Sequence, residues 1–281
     1  MTKGTLTFVA GTFGTTLSKT ILHKATETTG MSNNKKRVAW ITGGGSGIGL
    51  AGAQELAREG WTVVISGRRK DVLDEAVASI AKSGGKVEAM ALDVSSAADA
   101  EKVAKEIVAK HGRIDLLVNS AGVNVPKRSW DDITTESWDK LVDINLSGVM
   151  YCMRAVLPAM RAQKDGVIIN VASWAGRHVS KMTGPAYTTT KHAVLALTHS
   201  FNMDEFKNGL RACCLSPGEV ATPILKLRPV PPSAEDMAKM LQPEDLGRTI
   251  AFVASMPPHA CINEILISPT HNRGFVNPTL L

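Results

Sequence analysis

The chain has 281 residues, 44% of them hydrophobic and 21% charged, so it can bury one α/β core and is not wholly disordered. Its net charge of +6 is spread along the sequence without a dense lysine and arginine stripe, and we therefore expect no nucleic-acid partner. No segment approaches the roughly 20 apolar residues that a membrane-spanning helix requires, so no membrane partner is expected either.

The first 35 residues are expected to lie outside the folded domain. Residues 1–30 are rich in threonine and glycine, lack arginine, and contain no apolar block followed by a small-residue cleavage site. They therefore resemble neither a secretory signal nor a transit peptide, and Met31 is a candidate start of the folded protein. We predict a tail over 1–35, a catalytic domain over 36–270 and a short tail over 271–281.

The four cysteines show neither Cys-x-x-Cys spacing nor a cluster with histidines, so no metal site is expected. They are Cys152, Cys213, Cys214 and Cys261. Buried free thiols are typical of a reducing compartment, which predicts a cytoplasmic location.

From residue 36 onward, short apolar runs alternate with longer amphipathic runs. The apolar runs predict strands over Arg37–Thr42, Thr62–Ser66, Val87–Leu92, Ile114–Asn119, Gly166–Ala172, Leu210–Leu215 and Glu264–Ile267. The amphipathic runs predict helices over Ile48–Glu59, Asp71–Lys82, Ala97–His111, Glu136–Arg161, Ala186–Asn208 and Pro243–Ser255. This alternation predicts a single α/β domain of the doubly wound Rossmann type, with about seven parallel strands and helices on both faces.

One irregular segment follows the sixth predicted strand. It covers residues 223–241 and contains Pro229, Pro231 and Pro232. Two interpretations stay open, a mobile lid over the substrate and a rigid surface connection.

A glycine-rich turn joins the first predicted strand to the first predicted helix. It reads Thr42-Gly43-Gly44-Gly45-Ser46-Gly47-Ile48-Gly49. Glycine lets the backbone turn through positive φ and approach a pyrophosphate, while the helix N-terminus offers free N–H groups to the phosphates. The position of the turn therefore favours a dinucleotide site over a plain tight turn. An overlapping G-x-G-x-x-G pattern over 47–52 begins inside the predicted helix and is interpreted as coincidental.

The end of the second predicted strand indicates which dinucleotide is bound. An NAD enzyme places an acidic side chain there for the ribose 2′-hydroxyl, whereas this chain has Arg68, Arg69 and Lys70. An arginine can hold a 2′-phosphate in bidentate fashion, so NADP(H) is favoured over NAD(H). The alternative is that one or more of these cations is only solvated.

Three residues form the candidate chemical centre. Tyr187 and Lys191 lie four residues apart in a predicted helix and so share one face, and Ser173 follows the fifth predicted strand. Tyr187 is predicted to act as general acid and base, with its pKa lowered by the nearby ammonium of Lys191. Ser173 is predicted to donate a hydrogen bond to the substrate oxygen.

The ordered set of motifs resembles the short-chain dehydrogenase/reductase family over about residues 36–269. The set is Thr-Gly-x-x-x-Gly-x-Gly, Asn119-Ser120-Ala121-Gly122, Asn145, Ser173, Tyr187-x-x-x-Lys191 and Pro217-Gly218 followed by Thr222. The resemblance implies that Asp93 contacts the adenine, that the Asn119 segment lies beside the ribose, and that the Pro217 segment holds the nicotinamide carboxamide. With the two arginines, the predicted cofactor-binding residues are Gly43, Ser46, Gly47, Ile48, Gly49, Arg68, Arg69, Asp93, Val94, Asn119, Ala121, Gly122, Tyr187, Lys191, Pro217, Gly218, Val220 and Thr222.

The resemblance also implies roles for two catalytic residues and a mode of assembly. Lys191 would hold the nicotinamide ribose, and Asn145 would anchor a water that links Lys191 to solvent. A homodimer or homotetramer would form through the two long helices that carry Asn145 and Tyr187.

The substrate is less well defined by the sequence. Trp174, Arg177 and His178 lie between Ser173 and Tyr187, where they are predicted to rim the pocket, and Arg228 lies in the irregular segment. The resemblance implies hydride transfer between NADP(H) and a small-molecule substrate that is a secondary alcohol or carbonyl compound. Residues 242–270 resemble the branch of the family that contains serine and 3-hydroxy acid dehydrogenases, so the substrate hypothesis is a polar or acidic 3-hydroxy compound such as a 3-hydroxy acid. Three alternatives stay open: cations that simply face water, a 3-oxoacyl thioester reductase, and a non-catalytic NADP-binding scaffold or sensor.

Overall fold

A computed structural model describes residues 36–273. The tail expected over 1–35 and most of the short C-terminal tail therefore lie outside the described residues. None of the helices within 36–273 combines the length and the apolar character that a bilayer crossing requires.

Seven parallel strands form one sheet in the order β3-β2-β1-β4-β5-β6-β7. The strands are β1 Val38–Thr42, β2 Thr62–Gly67, β3 Lys86–Ala91, β4 Leu116–Asn119, β5 Gly166–Val171, β6 Leu210–Pro217 and β7 Glu264–Ile267. The central strands are nearly continuous apolar runs because both of their faces are covered, whereas the edge strands β3 and β7 are only partly buried. The doubly wound fold is confirmed.

Helices cover both faces of the sheet. They are α1 Gly47–Arg58, α2 Lys70–Lys82, α3 Ala97–His111, α4 Thr135–Val142, α5 Gly148–Gln163, α6 Pro185–Glu205, α7 Ala234–Ala238 and α8 Pro243–Ser255. One buried cluster joins the sheet to α1, α2 and α8, and a second joins it to α3, α5 and α6. The chain moves outward from β1 in both directions, so a crevice opens at the carboxyl ends of β1 and β4.

The long helix predicted over Glu136–Arg161 is not uniform. Its α-helical parts, α4 and α5, are joined by a π-helical turn over Asp143–Ser147 that contains the buried Asn145. Both amide atoms of Asn145 bond the backbone of Val123, in the loop after β4. A π turn of this kind commonly accompanies a functional residue, and residue periodicity does not reveal it.

The segment 223–241 is more regular than the sequence indicates. It contains a 3₁₀ turn over Pro223–Leu227 and the short helix α7, which Ser233 caps by accepting a hydrogen bond from the Asp236 N–H. The end of the segment forms an isolated parallel bridge between Leu241 and Val220, which lies three residues beyond the end of β6. The three prolines lie between the two helical pieces, which explains why the sequence pattern shows a loop.

Candidate active site

A cleft of about 390 Å³ opens at the carboxyl edge of the sheet. Its walls come from the segments that follow β1 to β6, as expected for a ligand site in this architecture. All of the predicted cofactor-binding residues line the cleft except Gly49 and Asn119. Residues separated by up to about 180 positions in the sequence therefore meet at one site.

The glycine turn forms one wall through close backbone packing. Gly43 has φ of +66°, and a Cβ there would lie 2.8 Å from the Ala121 nitrogen. Gly49 lies behind the turn, where a Cβ would lie only 2.4 Å from the Gly43 carbonyl oxygen. These positions require glycine because both neighbours are backbone atoms that cannot rotate away. The second glycine pattern belongs to α1, where Gly52 packs against Ile250 of α8.

A second layer of polar side chains holds the loop after β4. The Thr42 hydroxyl accepts hydrogen bonds from the N–H groups of Ser120 and Ala121, each at 3.2 Å. Asn119 is buried and donates to Asn170 at 2.9 Å, so it supports the cleft from behind. The sequence motif marks Asn119 and Ala121, but it gives no role for Thr42.

Positive charge lies at the end of the cleft formed after β2. Arg68 and Arg69 are exposed and line the cleft, whereas Lys70 forms an ion pair with Asp74 and does not line it. Asp93 lines the neighbouring wall, where a hydrogen bond from the Ser95 hydroxyl keeps its pKa below the usual value. This part of the cleft can therefore hold an anionic group beside the two arginines.

Ser173 and Tyr187 both line the cleft, and the Ser173 hydroxyl lies close enough to Tyr187 to lower its pKa. Ser173 follows β5, and Tyr187 lies in the first turn of α6. Burial raises the pKa of Tyr187, and the Ser173 hydroxyl and the charges of Arg228 and Arg128 offset this only in part. The tyrosine is therefore held as a proton donor at neutral pH.

Lys191 lies one helical turn beyond Tyr187 and is only 4% exposed. Its Nζ donates to the Val171 carbonyl at 2.9 Å and lies 5.6 Å from the centroid of the Tyr187 ring. Burial lowers the pKa of Lys191 to about 8. The predicted lowering of the tyrosine pKa by this ammonium is thus not found, because the Nζ is directed to the end of β5.

Asn145 lies next to this centre but behind the cleft wall. A Cβ on Gly122 would lie 3.5 Å from Asn145 Oδ1 and 3.7 Å from Lys191 Nζ, so the three groups are neighbours. The amide of Asn145 accepts from the Val123 N–H and donates to the Val123 carbonyl, each at 2.9 Å. Asn145 therefore fixes the loop that passes over Lys191.

The structure does not bring the predicted substrate residues to the cleft. The rings of Trp174 and His178 stack on each other with centroids 4.4 Å apart, and Arg177 forms an ion pair with Glu264 at the start of β7. None of the three lines the cleft. They follow Ser173 in sequence, but the 3₁₀ turn over Trp174–Gly176 carries them away from it.

Two arginines and a glutamate that belong to none of the motifs also line the cleft. Arg128 comes from the long loop between β4 and α4, whereas Arg228 and Glu219 come from the segment after β6. Arg228 and Glu219 form an ion pair at 2.6 Å. A single arginine in a loop carries no periodicity or motif, so the sequence offers no signal for Arg128.

The fold and the site define a dinucleotide-binding α/β oxidoreductase with a Ser, Tyr and Lys centre. The family model for short chain dehydrogenase matches residues 37–229. An uncharacterized oxidoreductase of Staphylococcus aureus is 33% identical over 233 residues, which are 83% of this chain and 97% of that protein. The chain belongs to the short-chain dehydrogenase family, whose members act on CH–OH groups with NAD(P).

Two solved structures extend the comparison. A metagenomic short-chain oxidoreductase in complex with NADP is 31% identical with a TM-score of 0.72, and the match covers 83% of this chain and 97% of that chain. The closed form of a serine dehydrogenase complexed with NADP+ is 28% identical with a TM-score of 0.76, and the match covers 83% and 94%. Both matches extend over nearly the whole of the solved chain.

Proposed function

We propose that this protein transfers a hydride between NADP(H) and a secondary alcohol or carbonyl compound, with a 3-hydroxy acid as the preferred alcohol. The observation that carries the proposal is the meeting of Ser173, Tyr187 and Lys191 in a cleft whose opposite wall is the glycine turn. The proposal assigns this chain one catalytic domain over 36–270.

The residues of the cleft fit a dinucleotide phosphate. Gly43 and Gly47 have positive φ, which shapes the turn before the N-terminus of α1 for a pyrophosphate. Arg68 and Arg69 lie where an NAD enzyme would need a carboxylate, so they support NADP(H) over NAD(H). Both solved relatives described above hold NADP, which agrees with this choice.

The side chains divide the remaining chemistry between them. When bound, the nicotinamide supplies or accepts the hydride, and in its oxidised form its positive charge favours the tyrosinate. Tyr187 gives a proton to the substrate oxygen during reduction and takes it back during oxidation. Ser173 donates a hydrogen bond to the same oxygen, and Lys191 donates to the nicotinamide ribose.

The choice of a 3-hydroxy acid has two supports. Residues 242–270 resemble the branch with serine and 3-hydroxy acid dehydrogenases, and a serine dehydrogenase is among the solved structures most similar to this chain. We also propose a homodimer or homotetramer built through α5 and α6 and a cytoplasmic location. Four cysteines without disulfide partners support the reducing location.

The test is reduction of 3-oxo acids, neutral ketones and 3-oxoacyl thioesters with NADPH and NADH in parallel, and oxidation of 3-hydroxy acids with NADP+ and NAD+ in parallel. We expect turnover with NADPH, and we expect Tyr187→Phe to lower kcat by about 10³-fold with little change in the Kd for NADPH. Turnover confined to thioesters would favour the acyl reductase alternative. Cofactor binding without turnover of any of these compounds would favour the scaffold alternative.

A further inference from the structure

Arg128 is a buried cation in the wall of the cleft. Its side chain is 7% exposed, and its Nη1 and Nη2 donate to the backbone carbonyls of Met182 and Leu227. Its Nε has no hydrogen-bond partner within residues 36–273, and no carboxylate in that range pairs with its guanidinium. Burying an unpaired cation is costly, so a fold that keeps one beside a ligand cleft implies an anion from outside the chain.

The backbone around Arg128 is packed so that the arginine cannot move freely. Gly184 has φ of +77°, and a Cβ there would lie 2.4 Å from the Arg128 carbonyl oxygen and 2.9 Å from its Cβ. Gly184 directly precedes α6, the helix that carries Tyr187. Arg128 therefore packs against the start of the helix that carries Tyr187.

The other arginines nearby are already neutralised. Arg228 and Arg273 both pair with Glu219 at 2.6 Å, and Arg273 also lies 3.2 Å from Asp236. Burial would raise the pKa of Glu219, but Arg273 and Arg228 outweigh it and keep the group ionised. Two carboxylates thus balance Arg228 and Arg273, and the positive charge of Arg128 is left without a counter-charge from the described residues.

Arg128 also lies close enough to Tyr187 to act on it. The charges of Arg228 and Arg128 both lower the pKa of the tyrosine, against the larger effect of burial. A cation at this position would hold a substrate group near the reacting oxygen. An arginine suits a planar carboxylate because its Nε–H and adjacent Nη–H point in the same direction.

We propose that Arg128 binds a carboxylate of the substrate while the carbonyl or hydroxyl carbon of the same molecule lies at Ser173 and Tyr187. This deepens the proposed function, on which it rests, by assigning the specificity for an acid to a residue outside every motif. It also replaces Arg177 and His178 as the residues that recognise the acid, because neither lines the cleft.

The first experiment measures binding without turnover, by calorimetric titration of malonate into the protein saturated with NADP+. Saturation keeps malonate from the phosphate-binding part of the cleft. We expect malonate to bind, the neutral malonamide not to bind, and Arg128→Gln to weaken malonate binding by about 30-fold, as for a lost hydrogen-bonded charge. Arg128→Lys should bind with intermediate affinity, because it keeps the charge and loses the fork.

Arg177→Gln is the matched control. Arg177 is close to Ser173 in sequence, but its side chain lies outside the cleft. We expect this variant to bind malonate like the wild type. Equal binding of malonamide, no binding of malonate to the wild type, or loss of binding in Arg177→Gln but not in Arg128→Gln would overturn the proposal. The Kd for NADP+ and the circular dichroism of each variant show whether the fold is intact, and Arg128→Lys replaces Arg128→Gln if the latter does not fold.

The second experiment compares kcat/KM for a 3-oxo acid with that for its methyl ester. We expect the Arg128→Gln variant to lose about 30-fold on the acid and little on the ester. Malonate binding through Arg128 without turnover of any substrate would contradict the proposed function but support the anion site. Turnover with equal kcat/KM for acid and ester would contradict the anion site but support the proposed function.

Discussion

The two ends of the cleft are built in different ways. The proposed phosphate-binding end consists of a turn over residues 43–49, whose backbone packs against itself and against Ala121. The proposed substrate end consists of side chains, with Arg128 held by the carbonyls of Met182 and Leu227, 54 and 99 positions further along the chain. A site made from consecutive backbone can be recognised from residue order, whereas a site made from distant side chains exists only after folding.

The largest effect is expected from crowding the backbone of the phosphate-binding end. In Gly49→Ala, the new Cβ meets the Gly43 carbonyl oxygen at 2.4 Å, and the turn must shift. We expect the Kd for NADPH to rise by about 100-fold because several N–H groups lose their alignment with the phosphates. Fluorescence titration of NADPH measures this.

Gly60→Ala is the control for Gly49→Ala. Unlike Gly49, Gly60 has a positive φ, of +87°, and nothing lies within 4 Å of its Cβ position. It should lower the free energy of unfolding by about 1 kcal/mol and leave NADPH affinity unchanged. If Gly49→Ala binds NADPH as tightly as the wild type, close backbone packing does not set the affinity at this end, and the distinction between the two ends of the cleft fails.

A smaller effect on NADPH affinity is expected from the side chains of the proposed phosphate-binding end. Replacing Arg68 and Arg69 together by Gln should raise the Kd for NADPH by about 30-fold, because the 2′-phosphate loses charged hydrogen bonds. The Kd for NADH should stay the same, since its ribose carries no phosphate. Lys70→Gln is the matched control, because Lys70 pairs with Asp74 outside the cleft. An equal loss for both cofactors would show that the arginines act on the fold instead of on the phosphate.

The smallest change in free energy is expected for the stability of the Lys191 variant, between the two ends of the cleft. Burial lowers its pKa from 10.5 to about 8, so the folded protein carries an unfavourable charge at all pH values below about 8. Lys191→Met removes that charge and also the hydrogen bond to Val171. We expect turnover to be lost while the free energy of unfolding rises by about 1 kcal/mol at pH 7.

The pH dependence follows from the direction of this shift. The unfolded chain binds the proton more tightly than the folded one, so the stability of the wild type rises as the pH increases from about 8 to 10.5. The advantage of the Met variant should therefore shrink over that range. Urea unfolding at pH 7, 9 and 10 checks this, with Lys105→Met, an exposed lysine on α3, as the control. A Met variant less stable than the wild type at pH 7 would contradict the account.

The sequence by itself determined the sheet of this protein and marked the residues of its candidate catalytic centre. The strand positions are correct within two residues because buried parallel strands must be continuous apolar runs, and Tyr187 and Lys191 share a helix face because four residues make about one turn. It could not locate the π turn that presents Asn145, since one extra residue in a helical turn leaves no clear trace in the apolar pattern.

Only the tertiary structure decided which charged side chains reach the substrate end. Arg177 is close to Ser173 in sequence, yet it pairs with Glu264 on β7, while the distant Arg128 enters the cleft wall. The physical reason is that a long charged side chain is placed by the partners that other loops offer it. Those partners, here two carbonyls and a glycine that leaves room, come together only when the chain has folded.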